Sequence, residues 1–472
     1  MLLYETLRRS MRRHPGTVVR SSREATTFAD LLREADAKAA ALDVAPSRVL
    51  ITQGNHPGYV STLLAVLSRG HLPILADPAL TPREIDELVA GCGIDLLIQD
   101  DTARPVPTGW RGDRPATDPR TELCRLTSGS TRSPGCIEFS GEAVLNAART
   151  WARASGLGPS DTSLCFAGLY NGLAFNTTLI PSLLTGAGLV LPGGLPSAGT
   201  ILRTVTATSP TILVAFPAAY ERLTSRQARD LGSDTLRALR GIRLRLSSAA
   251  PLPDSVAAHV AELSGPISDY YGIAETGPVT FNEDPRGTGG QGRLLPGVRV
   301  TSRPRPSDGV AVLHVHTRSM GTKYLNYPGE FEQAIAPDGA YVTSDVGTVT
   351  ADGRLHLEGR ALPTLNIGGR KFTAESVRRP LLEHPDVIDA FVTHLTTPSG
   401  RDCVGAAVET VTELEVPKLR RYLMDAVSAY KVPEVLVVTD RLPRGASGKV
   451  KAAETRALLA AAFDRPAEEE QR

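Results

Sequence analysis

Val60, Leu63, Leu64 and Leu67 recur at i, i+3, i+4 and i+7, a helical stripe that Gly70 can close. Ahead of it, Val49-Leu50-Ile51 is a short apolar run suited to a buried strand. Pro73 to Ala76 and Leu96-Leu97-Ile98 supply two more, with a helical segment from Thr81 to Gly91 between them. Strand, helix and strand in alternation predict a mostly parallel sheet covered by helices. Ser140 is placed to cap a helix carrying Val144, Leu145, Ala148 and Trp151. A second α/β unit follows, with strands at Leu189 to Leu191, Ile212 to Ala215 and Ile242 to Ser247 and helices near Ala198 to Thr206 and Ala218 to Ala228.

The texture changes twice. From about Gly290, short strands separated by Gly, Pro and Asp (Val310 to His316, Tyr341 to Thr343, Arg354 to Glu358) predict antiparallel structure. Past Arg360 the order becomes helix (Ala374 to Glu383), strands (Val387 to His394, Cys403 to Glu409), helix (Val416 to Val427) and strand (Val435 to Val438). The expected class is therefore α/β. It has a large N-terminal domain, residues 1–360, whose β-rich part covers about 290–360, and a small α+β domain, residues 361–472. A charged tail from Asp464 is expected to fray.

Composition narrows the function classes. With 472 residues there is room for roughly two or three domains. Lys plus Arg (52) balances Asp plus Glu (51), which points away from nucleic acid or an anionic membrane as partner. The five cysteines are scattered, with no C-x-x-C pair, which suggests a reducing, cytoplasmic setting and no zinc site. No apolar run is long enough to span a bilayer, and the first residues lack signal-peptide order. Arg8, Arg9, Arg12 and Arg13 read as the solvated face of a first helix. His314 and His316 share one face of a strand, but no third ligand for a metal lies nearby.

Candidate chemistry sits in loops. Thr127-Ser128-Gly129-Ser130-Thr131 connects two strand-like runs, Glu122 to Leu126 and Cys136 to Phe139, and offers hydroxyls and backbone N–H groups to an anion; a polar hairpin turn would look the same. Ser247-Ser248-Ala249-Ala250-Pro251 ends a strand with small residues. Asp269-Tyr270-Tyr271-Gly272-Ile273-Ala274-Glu275 reads as a loop combining an aromatic with a carboxylate. Asp345 ends another strand, Gly359-Arg360 marks the second texture change, and Arg444-Gly445-Ala446-Ser447-Gly448-Lys449 is a Gly-rich loop delivering a lysine.

In this order the clusters resemble those of the superfamily of acyl-adenylating enzymes, which includes acyl-CoA synthetases, adenylation domains of peptide synthetases and luciferases. The likeness runs from Leu31 to Leu459, with Asn55, Asp77-Pro78 and Tyr430-Lys431-Val432-Pro433 as minor matches. It implies a mobile C-terminal domain and an active site between the domains. By resemblance, Thr127, Ser128, Gly129, Ser130 and Thr131 cradle the phosphates of ATP. Ala249, Ala250 and Pro251 line the adenine side, Tyr271 and Gly272 meet the ring, and Asp345 and Arg360 hold the ribose. Glu275 and Thr131 bind Mg²⁺, and Lys449 is the adenylation lysine. The acid would lie near Tyr170, Asn171, Ser248, Tyr270 and Gly272. Charge explains the lysine and the metal: a carboxylate attacking an α-phosphate is anion against anion.

The chain also departs from the family pattern. The phosphate loop usually reads Thr-Ser-Gly-Thr-Thr-Gly-x-Pro-Lys-Gly; here the second Gly is Arg132, the Lys is Gly135 and the last Gly is Cys136. Arg132 could take over part of the lost charge or point to solvent. Leu362 and Pro363 replace a polar hinge, and Asn366 stands at the family's usual lysine. Tyr270 replaces a common Gly and should shorten the acyl tunnel, favouring a small or flat acid. Tyr170-Asn171 falls where aryl-acid-activating members carry His-Asn. There Asn171 could bond the acid and Tyr170 wall the pocket, or Asn171 could simply cap a helix. The expected activity is ATP-dependent activation of a small aromatic acid in secondary metabolism, with CoA, a carrier protein or an amine as acceptor. A nitrite-activating, diazotising enzyme and a catalytically weak nucleotide-binding homologue are the alternatives.

Overall fold

A computed structural model describes residues 1–99, 104–127, 134–193, 197–223, 231–248, 252, 254–285, 290–304, 311–360, 365–397, 400–411, 414–443 and 450–463, apart from the side chains of Arg360 and Lys371. It divides into two compact units. The larger holds residues 1–78, 89–127 and 135–361; the smaller holds 79–88 with the chain from 362 onward.

The larger unit is built on two sheets. In the first, Leu96–Ile98, Arg48–Ile51, Leu72–Leu75 and Thr121–Leu126 run parallel, and Cys136–Ser140 returns antiparallel beside the last of them. In the second, Ile267–Ile273, Leu244–Ser247, Ile212–Ala215, Thr162–Cys165 and Gly188–Val190 form the parallel centre. All four residues of Ile212–Ala215 are buried, as expected for a strand flanked on both sides and covered on both faces. Toward one edge the sheet is extended by strands from far upstream, Val18–Arg20 parallel to Gly188–Val190 and then Ala25–Thr27 antiparallel at the edge itself. The helix Pro57–Ser68 is buried all round, and its apolar stripe belongs to a segment enclosed by core.

The helix Gly141–Ser155 begins where Ser140 accepts a hydrogen bond from the backbone N–H of Ala143 and ends at Gly156 in the left-handed region. It carries Trp151 into the core, where the ring meets Tyr270 edge-on at 5.6 Å and Phe281 at 5.1 Å. The β-rich part pairs Arg299–Pro304 with Ala311–His316 and Asp345–Val349 with Leu355–Arg360.

Within the smaller unit, Val387–Thr396, Asp402–Thr410 and Val435–Thr439 make a sheet, and Leu365–Ile367 pairs with Arg370–Phe372. Phe372, Val377, Leu381, Leu419 and Leu423 fill its core. Residues 79–88 bring Glu84, whose carboxylate accepts from Lys431 Nζ and from Ser428 Oγ, both at 2.5 Å, with Glu84 and Lys431 almost fully buried.

Two expectations are corrected. Asp345 does not end a strand but opens one, Asp345–Val349, after the short strand Tyr341–Val342. Asp269 to Ile273 is not a loop but part of the strand Ile267–Ile273, which turns at 274–276 and pairs antiparallel with Gly277–Phe281. Small and polar letters concealed a strand whose neighbours on both sides supply its ladder bonds.

Candidate active site

The hairpin that flanks the expected phosphate loop is closed from both sides. Thr127 N–H donates to Gly135 O at 2.8 Å, and Gly135 N–H donates to Thr127 Oγ1 at 2.8 Å. Beside it runs the segment 324–326: Tyr324 bridges to Ile137, and Cys136 N–H donates to Asn326 Oδ1 at 2.8 Å. This segment accounts for one departure from the family pattern. A Cβ on Gly135 would lie 3.0 Å from the Tyr324 ring, so a side chain there would require the ring to yield by a few tenths of an ångström. Ser128, Gly129, Ser130, Thr131 and Arg132 lie outside the described residues, as do Ala249, Ala250, Pro251, Leu362 and Lys449.

Tyr324 also reaches the acidic candidate. Its hydroxyl donates to Glu275 Oε1 at 2.8 Å and lies 3.3 Å from the Tyr341 hydroxyl. Burial first, then the Glu275 charge, push the Tyr324 phenol far above its ordinary range, so it is a neutral donor. Sequence reading did not find Tyr324; it sits 49 positions from Glu275 in an unremarkable stretch.

Tyr271 and Asp345 are brought together. The Tyr271 hydroxyl donates to Asp345 Oδ2 at 2.6 Å, with both residues buried. The turn below is tight: a Cβ on Gly272 would lie 2.6 Å from Gly277 O, so only glycine fits. Arg360 ends the strand Leu355–Arg360, whose register pairs it with Asp345.

The residues expected around the acid form a second group. Asn55 holds the approach to Tyr170, donating to Ala167 O at 2.8 Å and accepting from Leu169 N–H at 2.9 Å. The Tyr170 ring folds over Gly168, where a Cβ would lie 2.3 Å from it. Asn171 is a helix cap: its Oδ1 accepts from Leu173 N–H at 2.9 Å. Beyond it the helix passes through a π-helical turn, Phe175–Leu179. Tyr270 is 4% exposed; its carbonyl accepts from Ser248 Oγ at 2.6 Å, and its hydroxyl bonds the Asn176 side chain.

Arg125 lies among these residues and was missed in the sequence, where it stands one letter inside an otherwise ordinary strand. It is 3% exposed, and its guanidinium lies 4.6 Å from the centre of the Phe139 ring and 4.8 Å from that of Phe175. Burial pushes its pKa down to about 10, which leaves it protonated at neutral pH. The signal was the residue type: an arginine beside the buried Leu123 and Cys124 is uncommon and marks a charge that needs an explanation.

His314 is buried and His316 lies 3.5 Å from Asp338; among the described residues no group of three His, Cys, Asp or Glu side chains could hold a metal ion. The five cysteines are free and buried. No described helix is long and apolar enough to cross a membrane.

Comparison with known proteins identifies the family. Residues 7–303 match the AMP-binding enzyme family. Feruloyl-CoA synthase of Amycolatopsis sp. is 25% identical over 95% of this chain and 97% of its own length. The p-hydroxybenzoic acid–AMP ligase FadD22 of Mycobacterium tuberculosis is 27% identical over 85% of this chain and 60% of its own. Among solved structures, the amide bond synthetase McbA of Marinactinospora thermotolerans superposes with a TM-score of 0.81 at 21% identity, covering 96% of this chain and 99% of McbA. The chain therefore belongs to the AMP-binding enzyme family and is an AMP-forming acid ligase of the acyl-adenylating superfamily.

Proposed function

We propose that the enzyme activates a small aromatic carboxylic acid as its acyl adenylate and then passes the acyl group to a thiol, of CoA or a carrier protein, or to an amine. The observation that carries the size of the acid is Tyr270: its ring is packed edge-on against Trp151 and nearly sealed from solvent, where it occupies depth that a long acyl chain would need. Two relatives named for aromatic acids, ferulic and p-hydroxybenzoic, support the same class. The setting we propose is cytoplasmic.

In the first half-reaction an oxygen of the acid attacks the α-phosphorus of ATP, and the bond to pyrophosphate breaks. Tyr271 stacks on adenine beside Ala249, Ala250, Pro251 and Gly272, and Asp345, oriented by the Tyr271 hydroxyl, takes the ribose hydroxyls together with Arg360. Thr127, Ser128, Gly129, Ser130 and Thr131 surround the phosphates with donors. Lys449 is the residue we assign to supply positive charge between the two anions, which would lower a barrier that is mainly electrostatic. The donor set suits a hard cation: the Glu275 carboxylate, oriented by Tyr324, and the Thr131 hydroxyl are the oxygen ligands we assign to Mg²⁺. A Mg²⁺ held there would supply positive charge to offset that of pyrophosphate. Tyr170, Ser248 and Tyr270 wall the acid. Asn171, whose Oδ1 caps the helix, reaches it through its amide nitrogen.

The test is release of AMP and pyrophosphate over a panel of aromatic acids and nitrite, each with CoA, a carrier protein or an amine. Release with aromatic acids supports the proposal. Release with nitrite alone would assign the diazotising reaction instead, and none with any substrate would leave a nucleotide-binding homologue.

A further inference from the structure

Among the described residues three arginines are buried, Arg48, Arg125 and Arg245, and two of them are well satisfied. Arg245 donates to Ser264 Oγ and to the carbonyls of Leu239 and Ser264. Arg48 donates to the carbonyls of Cys92 and Pro115.

Arg125 is the exception. Among the described residues it has no carboxylate within ion-pair distance, its Nε has no hydrogen-bond partner, and its one hydrogen bond, from Nη2 to Ala274 O, is long at 3.4 Å. Close by is a second orphan. Tyr59 is fully buried, and among the described residues its hydroxyl has no partner. Arg125 Nε and the Tyr59 hydroxyl thus have no partner among the described residues; Arg125 lies beside Ala274 and Gly172, its Nη1 3.1 Å from where a Cβ of Gly172 would stand, and Tyr59 is within electrostatic reach of Arg125 and Tyr170. A buried donor without a bond calls for an explanation; here a guanidinium, which matches the paired oxygens of a carboxylate or sulfonate, points to an anion.

We infer that Arg125 and Tyr59 form an anion subsite inside the acid pocket, and that the acid this enzyme activates carries a second anionic oxygen group, a carboxylate or sulfonate, which binds there while its other carboxylate is adenylated. The inference rests on the function proposed above and specifies its substrate. The reacting carboxylate itself is a poorer match. Arg125 lies back along the strand from Thr127, between two phenylalanine rings, and a guanidinium clamped on the nucleophilic oxygens would hold back their electron pairs.

The experiment compares benzoate with isophthalate and sulfobenzoate, and propionate with succinate, in ATP–pyrophosphate exchange. Wild type should favour the doubly charged member of each pair by on the order of tenfold or more in kcat/KM. Arg125→Leu should abolish that preference by raising KM for the diacids alone, leaving KM for ATP unchanged, and Arg125→Lys should restore part of it. Tyr59→Phe should raise KM for the diacids several-fold. Should Arg125→Leu fail to fold, Arg125→Gln and Tyr59→Phe give the same ratio. Equal use of mono- and diacids by wild type, or equal loss of both in Arg125→Leu, overturns the subsite while leaving the ligase intact. If no acid supports exchange, the ligase proposal falls, and calorimetric titration of wild type and Arg125→Leu with isophthalate and benzoate still decides the subsite. Isophthalate binding that the variant loses upholds it, and no binding, or binding equal to that of benzoate, overturns it.

Discussion

The Tyr271 hydroxyl donates to the Asp345 carboxylate at 2.6 Å across 74 positions of sequence. It ties the strand that carries the aromatic to the strand that carries the acid, so the residues proposed for adenine and ribose are set by one contact. Tyr271→Phe keeps the ring and removes the bond. A buried hydrogen bond to a charged group contributes about 1.5–3 kcal/mol, so the KM for ATP should rise on the order of tenfold with kcat less affected. An unchanged KM would show that Asp345 needs no such orientation.

Tyr324 plays the corresponding part for Glu275. Because burial and the Glu275 charge hold its phenol protonated, its bond should persist over the working range, about pH 6 to 9. Tyr324→Phe should raise the Mg²⁺ concentration for half-maximal exchange several-fold without changing the shape of the pH profile over that range. A new ionisation in the profile, or unaltered Mg²⁺ dependence, would count against this role.

For Lys449 the sequence is the guide. Lys449→Ala should reduce pyrophosphate exchange by on the order of a hundredfold or more, since it removes the charge between two anions. Arg132→Ala should raise KM for ATP if Arg132 replaces the missing loop lysine, and a variant with normal ATP kinetics would leave Arg132 to solvent.

In the smaller unit, Glu84 and Lys431 form a buried pair. Burial raises the Glu84 pKa, but the Lys431 charge, its hydrogen bond and that of Ser428 outweigh it, and the net shift is downward. A carboxylate depressed in the folded state contributes stability above its unfolded value, about 4.3, and that stability is lost as pH falls through the folded value. Urea denaturation should therefore show wild type losing stability more steeply below about pH 4 than a Glu84→Gln, Lys431→Met double variant does. Lys431→Met alone, which leaves a buried charge unpaired, should cost about 3–5 kcal/mol at neutral pH, much of it recovered in the double variant. Equal stability of wild type and the single variant would show that the pair is solvated.

Local order was legible in the letters. The stripe through Val60 to Leu67, the cap at Ser140 and the strand at Ile212 to Ala215 follow from periodicity and residue chemistry within a few positions, and the ordered clusters from Thr127 to Asp345 sufficed to identify the superfamily. Tertiary structure decided what depends on distant residues. Val18–Arg20 joins a sheet beside Gly188–Val190, and Tyr324 reaches Glu275 while crowding position 135. Asn171 caps a helix, and Asp269 to Ile273 becomes a strand once partners flank it. Arg125 shows the division best. Its charge was visible in the sequence, but whether that charge is paired depends on which residues long-range folding packs around it, and no local pattern encodes that.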